Sequence, residues 1–347
     1  MKKILAFRID RLGDYIICSN LLYELKKKFG HLTIVCSENN YKLIKNQKFI
    51  DEVIIFDKKY SLIKKIKIFL KIISQKYYLI LCWDGKKFSF LTSIFARSKF
   101  KLGIYYVKIK KILGINISLH KPNKFFNKLI FDKSLRFTSR SSLINTEHLG
   151  SIYFNLVKNF LPHLQNNNKY YLDISKSSED EFLFLKNKYE FSNYLLIHLD
   201  EKWLDILNIE NDLYNSIKYL SDKLKYKVII TAFKNSNTYY NNLKKSLNNN
   251  FDKNIIIFED LKIDLFERLI NYSNITISCH SGFVVQSAGF NNVFIIDIIN
   301  ENEALWVSCW KPLIDNYLQI FKNNDNKRKV LINIFDEIIA LYEKKKI

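Results

Sequence analysis

Glycine and proline are scarce in this chain of 347 residues, which has 8 glycines and 3 prolines. That scarcity excludes collagen-like, proline-rich and glycine/serine-linker proteins. The sequence also lacks the run of about 18 uncharged apolar residues that a membrane-spanning helix needs. Its first apolar run stops at Arg8, too early for a secretory signal peptide. We therefore expect a folded protein without a spanning segment.

Several functional signatures are missing as well. The five cysteines are odd in number and widely spaced, with no C-x-x-C pair, and the six histidines form no H-x-x-x-H pair. This pattern predicts reduced, buried thiols in a cytosolic protein rather than disulfides or a zinc site. No Walker loop, G-x-G-x-x-G or G-x-S-x-G occurs. P-loop NTPases, dinucleotide-dependent oxidoreductases and α/β-hydrolases therefore lose their main support.

Positive charge is abundant. Lys+Arg total 55 and Asp+Glu 34, which gives a net charge of +21. Such a balance indicates a phosphate-bearing partner, namely nucleic acid, an anionic membrane face or a phosphorylated glycolipid. Codon bias in an AT-rich genome would give the same lysine content. No arginine-rich block or RNA-binding aromatic motif appears, so we do not expect nucleic acid to be the partner.

Short apolar runs alternate with helical patterns in both halves of the chain. This alternation predicts βαβ units and mostly parallel sheets. We expect a Rossmann-like first domain over residues 1–163, a Rossmann-like second domain over residues 170–326, and a C-terminal helix, residues 327–347, that packs back on the first domain. Residues 104–146 give no clear pattern.

The first chemically rich loop, residues 8–14 (RIDRLGD), joins a predicted strand to a predicted helix. Asp14 lies at or next to the helix N-cap, so one interpretation is that it only caps the helix. The alternative is a general base, with Arg8 or Arg11 tuning its charge or holding phosphate and Asp10 orienting one of these arginines. Gly13 supplies conformational freedom in the turn.

Two further loops follow predicted strands in the second half. Residues 278–282 (SCHSG) precede a helix, which is typical of an anion site, although Ser281 is equally consistent with an ordinary cap. His280 is interpreted either as a hydrogen-bond donor to phosphate or as a solvent-facing loop residue. Gly282, two residues later, completes the loop. In residues 198–203 (HLDEKW), Lys202 is a candidate for neutralising a diphosphate and His198 for binding the donor.

These loops, in this order, resemble glycosyltransferase family 9, the ADP-heptose:lipopolysaccharide heptosyltransferases. Residues 4–14 resemble the family's opening strand and R-x-(D/S)-x-x-G-D turn, and residues 21–29 its first helix. Residues 77–85 are similar to its Y-D-L-V-I-D-L-Q-G strand, and residues 277–282 to its V-S-N-D-(T/S)-G loop. His280 stands where that loop has Asp, and Val285 where the family often has His.

The resemblance implies a GT-B fold, with two Rossmann-like domains facing across a cleft, and inverting sugar transfer without a metal or other cofactor. Asp14 matches the family's general base. Arg8, Asp10, Arg11 and Gly13 would then serve the acceptor side, whereas the donor side would use His198, Lys202, His280, Ser281 and Gly282.

The implied partners are a nucleotide sugar, with ADP-heptose as the family's donor, and a lipid-linked glycan. We expect a cytoplasmic protein in peripheral contact with the anionic inner membrane face. Two alternatives remain open because His280 and Val285 depart from the family pattern. One is a catalytically degraded binding protein, and the other is a GT-B sugar-nucleotide epimerase.

Overall fold

A computed structural model describes the chain apart from residues 113–114, 122–123, 139–146, 165–169, 174–175, 206–212, 234–240, 242, 246–251, 290–292, 323–329 and 345–347. The chain divides into two compact units. The first unit comprises Met1–Ile174 and Leu305–Lys311, and the second comprises Ser175–Ala304 and Pro312–Ile347. The division falls a few residues beyond the interval between the two predicted domains, residues 164–169, of which 165–169 lie outside the described part.

Parallel strands dominate the first unit. Its seven-stranded sheet has the order β3-β2-β1-β4-β5-β6, with β7 also paired to β5. Among the strand pairs of the described residues in this unit, β5–β6 is antiparallel and the others are parallel. The strands are β1 (Lys2–Arg8), β2 (Gly30–Cys36), β3 (Glu52–Ile55), β4 (Lys76–Cys82), β5 (Arg97–Ile112), β6 (Ile115–Lys121) and β7 (Lys133–Thr138). The region that gave no clear sequence pattern therefore contributes most of β5 and all of β6 and β7.

Helices cover this sheet, as the alternation of patterns predicts. They are α1 (Leu12–Phe29), α2 (Glu38–Ile44), α3 (Leu62–Ile73), α4 (Lys87–Phe95), α5 (Lys124–Ile130) and α6 (Leu149–Val157). Helix α1 buries Cys18, Leu22 and Leu25. It ends at Gly30, whose φ of 94° lies in the left-handed region that favours glycine.

The second unit contains a six-stranded, fully parallel sheet of order β10-β9-β8-β11-β12-β13. Its strands are β8 (Tyr194–Leu199), β9 (Lys227–Ala232), β10 (Ile255–Glu259), β11 (Ile275–Ser278), β12 (Phe294–Asn300) and β13 (Tyr317–Lys322). Its described α-helices are α7 (Lys176–Lys188), α8 (Leu213–Leu224), α9 (Ile263–Asn271), α10 (Gly282–Ala288) and α12 (Val330–Lys344). The short helix α11 (Ala304–Ser308) belongs to the first unit from Leu305 onward. Both units are thus Rossmann-like and doubly wound.

The last helix has a place in the core of the second unit. Helix α12 contacts α8, and Phe335, Ile338 and Ile339 enter that core. That this helix also packs back on the first domain stays a prediction. The segment Leu305–Lys311 belongs to the first unit. Apolar residues recur at helical spacing along α3, yet much of this apolar stripe faces solvent, and Ile72 is the one buried residue of the helix. Among the described helices, none is both long and apolar enough to cross a membrane.

All five cysteines lie in described residues. Each is buried, and none forms a disulfide. This agrees with the thiols that their spacing predicts.

Candidate functional site

The same topological feature occurs in each sheet. The strand order reverses between β1 and β4 in the first sheet, and between β8 and β11 in the second. In open α/β sheets, a crevice opens at such a switch point, outside the carboxyl ends of the strands, and ligands bind there. The loops singled out from the sequence follow β1, β8 and β11, so each lies at a switch point.

The loop after β1 is organised around a buried ion pair. Arg8 is completely buried, and its guanidinium pairs with the Asp10 carboxylate. Its Nη1 also donates to the hydroxyl of Tyr153 at 3.0 Å. Asp10 therefore does orient an arginine. The expectation that Arg8 contacts phosphate is wrong, because burial and these partners remove its side chain from solvent. Arg11, by contrast, is exposed.

Asp14 lies in the first turn of α1 and is only partly buried. Its Oδ2 accepts a hydrogen bond from the backbone N–H of Arg11 at 3.3 Å, so the capping interpretation is correct as far as it goes. Its Oδ1 accepts from Nε1 of Trp310 at 3.0 Å. An ionised carboxylate offers about four acceptor positions. Capping therefore leaves this group able to accept a proton from a ligand. Gly13, beside it, is buried.

Trp310 reaches Asp14 because the chain returns to the first unit at Leu305–Lys311. The return is fixed by two hydrogen bonds to the start of α6. The backbone N–H of Leu149 donates to the carbonyl of Cys309 at 2.8 Å, and Nε2 of His148 bonds the carbonyl of Lys311 at 2.8 Å. The sequence offered no signal for this contact, which joins residues 296 positions apart.

A second anchor of the same loop is Asp84, which follows β4. Its carboxylate accepts from the backbone N–H groups of Ile9 and Lys86 and from the hydroxyl of Ser89. Asp84 therefore ties the β1–α1 turn to the start of α4. It positions the loop that carries Asp14.

In the second unit, polar residues form a row across the sheet. Near the carboxyl ends of β9, β8 and β11, and in the middle of β12 and β13, the strand register places five residues side by side: Thr231, His198, Ser278, Asp297 and Gln319. The first four are buried. Strands of a parallel sheet are normally apolar on both faces, and burying polar groups costs free energy unless they are hydrogen-bonded. This row of polar side chains therefore marks the part of the sheet where a polar site is built.

His198 lies near the end of β8, and Lys202 lies in the segment that follows this strand. His198 bonds Thr231 Oγ1 through Nδ1 at 3.1 Å, and burial, with the positive charge of Lys202, lowers its pKa to about 4. Burial raises the pKa of the neighbouring Asp200 to about 6, although Lys202 opposes the shift. Trp203 is fully buried in the core and donates to the carbonyl of His198, so its role is packing.

Lys202 connects the two loops of this unit. Its Nζ donates to the carbonyl of His280 at 2.5 Å. An ammonium group has three N–H donors, and this contact uses one. Lys202 is only partly buried, so its remaining donors suit an anionic ligand.

His280 is the centre of a hydrogen-bonded chain. Its Nδ1 bonds Asp297 Oδ2 at 2.8 Å, and the hydroxyl of Tyr317 donates to the same oxygen at 2.6 Å. Burial, reinforced by Asp297, raises the pKa of Tyr317. His280 has a φ of 51°, which is uncommon for a residue other than glycine. It is buried, so the solvent-facing interpretation is wrong.

The loop that carries His280 leads into α10. Ser281 is the N-cap of this helix and Gly282 is its first residue, and the helix is short, with seven residues. Within the described residues, no group of three His, Cys, Asp or Glu side chains is placed to hold a metal ion.

A cavity of about 530 Å³ lies in the first unit, near the amino ends of β1 and β4. Lys2, Lys28 and Tyr78 are among its lining residues, and none of the residues of the three candidate loops lines it.

Comparisons with known proteins agree on the fold. No protein-family model and no curated protein sequence matches the chain. A solved glycosyl transferase family 9 structure from Veillonella parvula matches at 14% identity and a TM-score of 0.70, over 99% of this chain and 96% of that one. The ADP-heptose lipopolysaccharide heptosyltransferase II of E. coli matches at 13% identity and a TM-score of 0.67, over 99% and 100%.

A third match extends beyond transferases. The UDP-GlcNAc 2-epimerase of Methanocaldococcus jannaschii is 12% identical, with a TM-score of 0.54, over 99% of each chain. At these identities the likeness concerns the fold. Together with the two Rossmann-like units, the transferase matches confirm the predicted GT-B class and the resemblance to family 9 structures at the level of the fold.

Proposed function

We propose that this chain is a glycosyltransferase of the family 9 type, which transfers a sugar with inversion from a nucleotide sugar to a lipid-linked surface glycan such as lipopolysaccharide. The observation that carries the proposal is the partly exposed carboxylate of Asp14 at the switch point of the first sheet, held by Trp310 and Arg11. The GT-B fold, shared with solved heptosyltransferases, supports the same class of reaction.

Asp14 serves the acceptor in this proposal. A free acceptor position of its carboxylate takes the proton from the acceptor hydroxyl. The hydroxyl oxygen forms a bond to the anomeric carbon of the donor as the bond from that carbon to the diphosphate oxygen breaks. The nucleoside diphosphate leaves from the opposite face, which inverts the anomeric centre. Arg11, exposed in the same turn, supplies a cation for a phosphate group on the acceptor.

The second unit serves the donor. Lys202 holds the carbonyl of His280 with one N–H and has further donors for the negative charge that develops on the leaving diphosphate. His198 stays neutral near pH 7, since its pKa is lowered to about 4. It therefore adds polarity without adding charge. Ser281 and Gly282 follow His280 directly, and in this proposal their backbone N–H groups face the leaving diphosphate.

The proposed donor is a nucleoside diphosphate sugar, and ADP-heptose is the first candidate to test. A thermal-shift screen of the full chain against nucleotides and nucleotide sugars identifies the donor class, because a ligand that binds only the native state raises the melting temperature. A shift with ADP or its sugars, but not with UDP, supports an ADP-sugar donor.

The base assignment is tested with Asp14→Asn. We expect turnover to fall by about 10²–10⁴, the usual contribution of a general base. The nucleotide-induced thermal shift should stay unchanged, since Asn keeps the side-chain shape and an oxygen acceptor for Trp310. Asp57→Asn, a carboxylate of the same unit that lies away from this turn, is the control and should keep full turnover. Unchanged turnover in Asp14→Asn would exclude the base role.

A sugar-nucleotide epimerase is the second candidate. The fold match to UDP-GlcNAc 2-epimerase and the His280–Asp297 pair in the second unit favour it. An epimerase converts a nucleotide sugar without any acceptor. It would then lose activity in His280→Asn and keep it in Asp14→Asn, the reverse of the transferase pattern. Detection of transfer to any acceptor would also exclude a binding protein without activity.

A further inference from the structure

Two neighbouring helices of the first unit expose large apolar side chains. Six residues of α3 and α4 are between 47% and 72% exposed, and we call them the α3–α4 apolar face: Leu62, Ile63, Ile66, Leu70, Leu91 and Phe95. The two helices are in contact, and the rings of Phe69 and Phe95 meet edge to face at 5.8 Å. Contiguous exposed apolar surface of this kind marks an interaction site.

The surroundings of this face are strongly basic. Neither α3 nor α4 contains an acidic residue. Lysines lie on α3, just before it and at the start of α4: Lys58, Lys59, Lys64, Lys65, Lys67, Lys71, Lys86 and Lys87. The acids near these helices include Glu52, which is paired with Lys71, Asp57, Glu38, which accepts from the Tyr60 hydroxyl, and the buried Asp84. At a helical period of 3.6 residues, Lys67 borders the exposed apolar residues of α3 on one side and Lys65 on the other, whereas Lys64 and Lys71 lie on the opposite side of the helix.

From this juxtaposition we infer that the α3–α4 apolar face is a docking surface for an anionic lipid bilayer. A helix with an apolar face flanked by lysines lies in the membrane interface, with its apolar side chains among the acyl chains and its ammonium groups at the anionic headgroups. A second copy of the chain fits less well, because two such faces would bring their lysines together without compensating acids.

The α3–α4 apolar face is connected to the turn that carries Asp14. Asp84 accepts hydrogen bonds from Lys86 and Ser89 at the start of α4 and from Ile9 in the turn that leads to Asp14. Docking through α3 and α4 therefore places a membrane next to the acceptor side of the first unit. The inference deepens the proposed function, which needs a lipid-linked acceptor, but vesicle binding can be measured without any transfer.

The test is co-sedimentation of the full chain with vesicles of phosphatidylcholine alone and of phosphatidylcholine mixed equally with phosphatidylglycerol. We expect binding to the mixed vesicles that weakens with salt, and weak binding to phosphatidylcholine alone. The double variant Ile63→Ser/Leu70→Ser should bind the mixed vesicles at least about tenfold more weakly. Lys67→Glu, which reverses a charge at the border of the apolar face, should weaken this binding as well. Both variants change exposed positions, so their melting temperatures should stay near that of the parent.

The matched control is Leu183→Ser/Phe184→Ser on α7, which removes two exposed apolar residues from a helix that also carries Glu179, Asp180 and Glu181. It should bind vesicles like the parent chain. Equal losses in the control and the α3 variant would overturn the inference. So would equal binding to both vesicle types, or a dimer in the parent chain that Ile63→Ser/Leu70→Ser abolishes. Normal transfer to a soluble acceptor by a non-binding variant would leave the proposed function intact.

Discussion

Asp297 is a charged residue inside a strand that is otherwise apolar, FIIDIIN. It is fully buried and accepts hydrogen bonds from His280 and Tyr317 at one oxygen. Its hydrogen bond to Nδ1 fixes the orientation of the His280 ring in the loop that is proposed to bind the donor diphosphate. Asp297 then acts through His280 as a positioning residue and makes no ligand contact of its own.

A double-mutant cycle tests this coupling. His280→Asn and Asp297→Asn should each weaken the binding of nucleoside diphosphate by roughly tenfold, since hydrogen bonds to charged groups are worth about 1.5 kcal/mol or more. The double variant should bind no more weakly than either single variant, because both changes remove the same interaction. Titration calorimetry with the diphosphate identified by the screen provides the dissociation constants.

Thr231→Val gives the comparison for that cycle. Thr231 belongs to the same polar row, but its side chain bonds His198. Its effect should therefore add to that of His280→Asn. Additive losses for Asp297→Asn with His280→Asn would show instead that Asp297 acts independently of His280.

At single residues, the sequence predicts chemistry better than contacts. The mixture of charges in residues 8–14 identifies a special turn, yet it cannot tell that Arg8 is buried against Tyr153 and that Arg11 is exposed. The Asp297 partner of His280 has a sequence signal, a carboxylate within an apolar strand, but only the strand register shows which residue it meets. The Trp310 contact with Asp14 has no such signal, because it depends on where the chain returns.

Helix α9 carries a titratable group in an unusual place. Glu267 is almost fully buried and accepts a hydrogen bond from Asn271 one turn later at 2.5 Å. Burial raises its pKa from 4.5 to about 7, although the adjacent Arg268 opposes the shift. Because the folded-state pKa is the higher one, the stabilisation is complete below about pH 4.5 and is lost as the pH rises through about 7.

Replacing Glu267 with Gln should remove this pH dependence. Gln cannot ionise, and its amide oxygen can still accept from Asn271. Between about pH 5 and about pH 8, the parent chain should lose up to about 3 kcal/mol of unfolding free energy relative to Glu267→Gln. Denaturant unfolding at the two pH values measures this difference. Glu181→Gln, in a more exposed ion pair on α7, should leave the parent's pH dependence unaltered. An identical pH dependence in Glu267→Gln and the parent would contradict the assignment.

For whole elements, periodicity predicts existence and bounds well and burial less well. Helix α1 ends where Gly30 predicts, because the left-handed conformation there favours glycine. The apolar stripe of α3 predicts a helix, yet amphipathic spacing does not say what covers the stripe. Strands β5, β6 and β7 were missed because their pairing is non-local, and it includes the antiparallel β5–β6 pair.

At the scale of the molecule, the net charge of +21 is a weak guide to the site. Several lysines surround the α3–α4 apolar face, whereas the two proposed reaction loops rely on Arg11 and Lys202 for exposed or partly exposed cations. Charge and mechanism therefore concern different surfaces. Length, by contrast, predicts the two-unit organisation, because chains beyond about 250–300 residues divide into domains.

The last helix, α12, contributes to the core of the second unit. Phe335 on α12 is fully buried with Ile338 and Ile339 in the core of the second unit, and Asp336 accepts a hydrogen bond from Tyr219 on α8. Phe335→Ala should cost about 3–5 kcal/mol, the usual effect of emptying a buried aromatic site. Because Phe335 belongs to the core of the second unit, the cost should fall on that unit's sheet.

Hydrogen exchange followed by mass spectrometry can locate that cost. In Phe335→Ala, amide exchange should accelerate in β8 and β9 and stay unchanged in β1 and β2. Leu22→Ala, which empties a fully buried position of α1, should give the reverse pattern and serves as the reciprocal control. If Phe335→Ala accelerated exchange equally in β1 and β2, the helix would stabilise the first unit too, as the sequence alone had led us to expect.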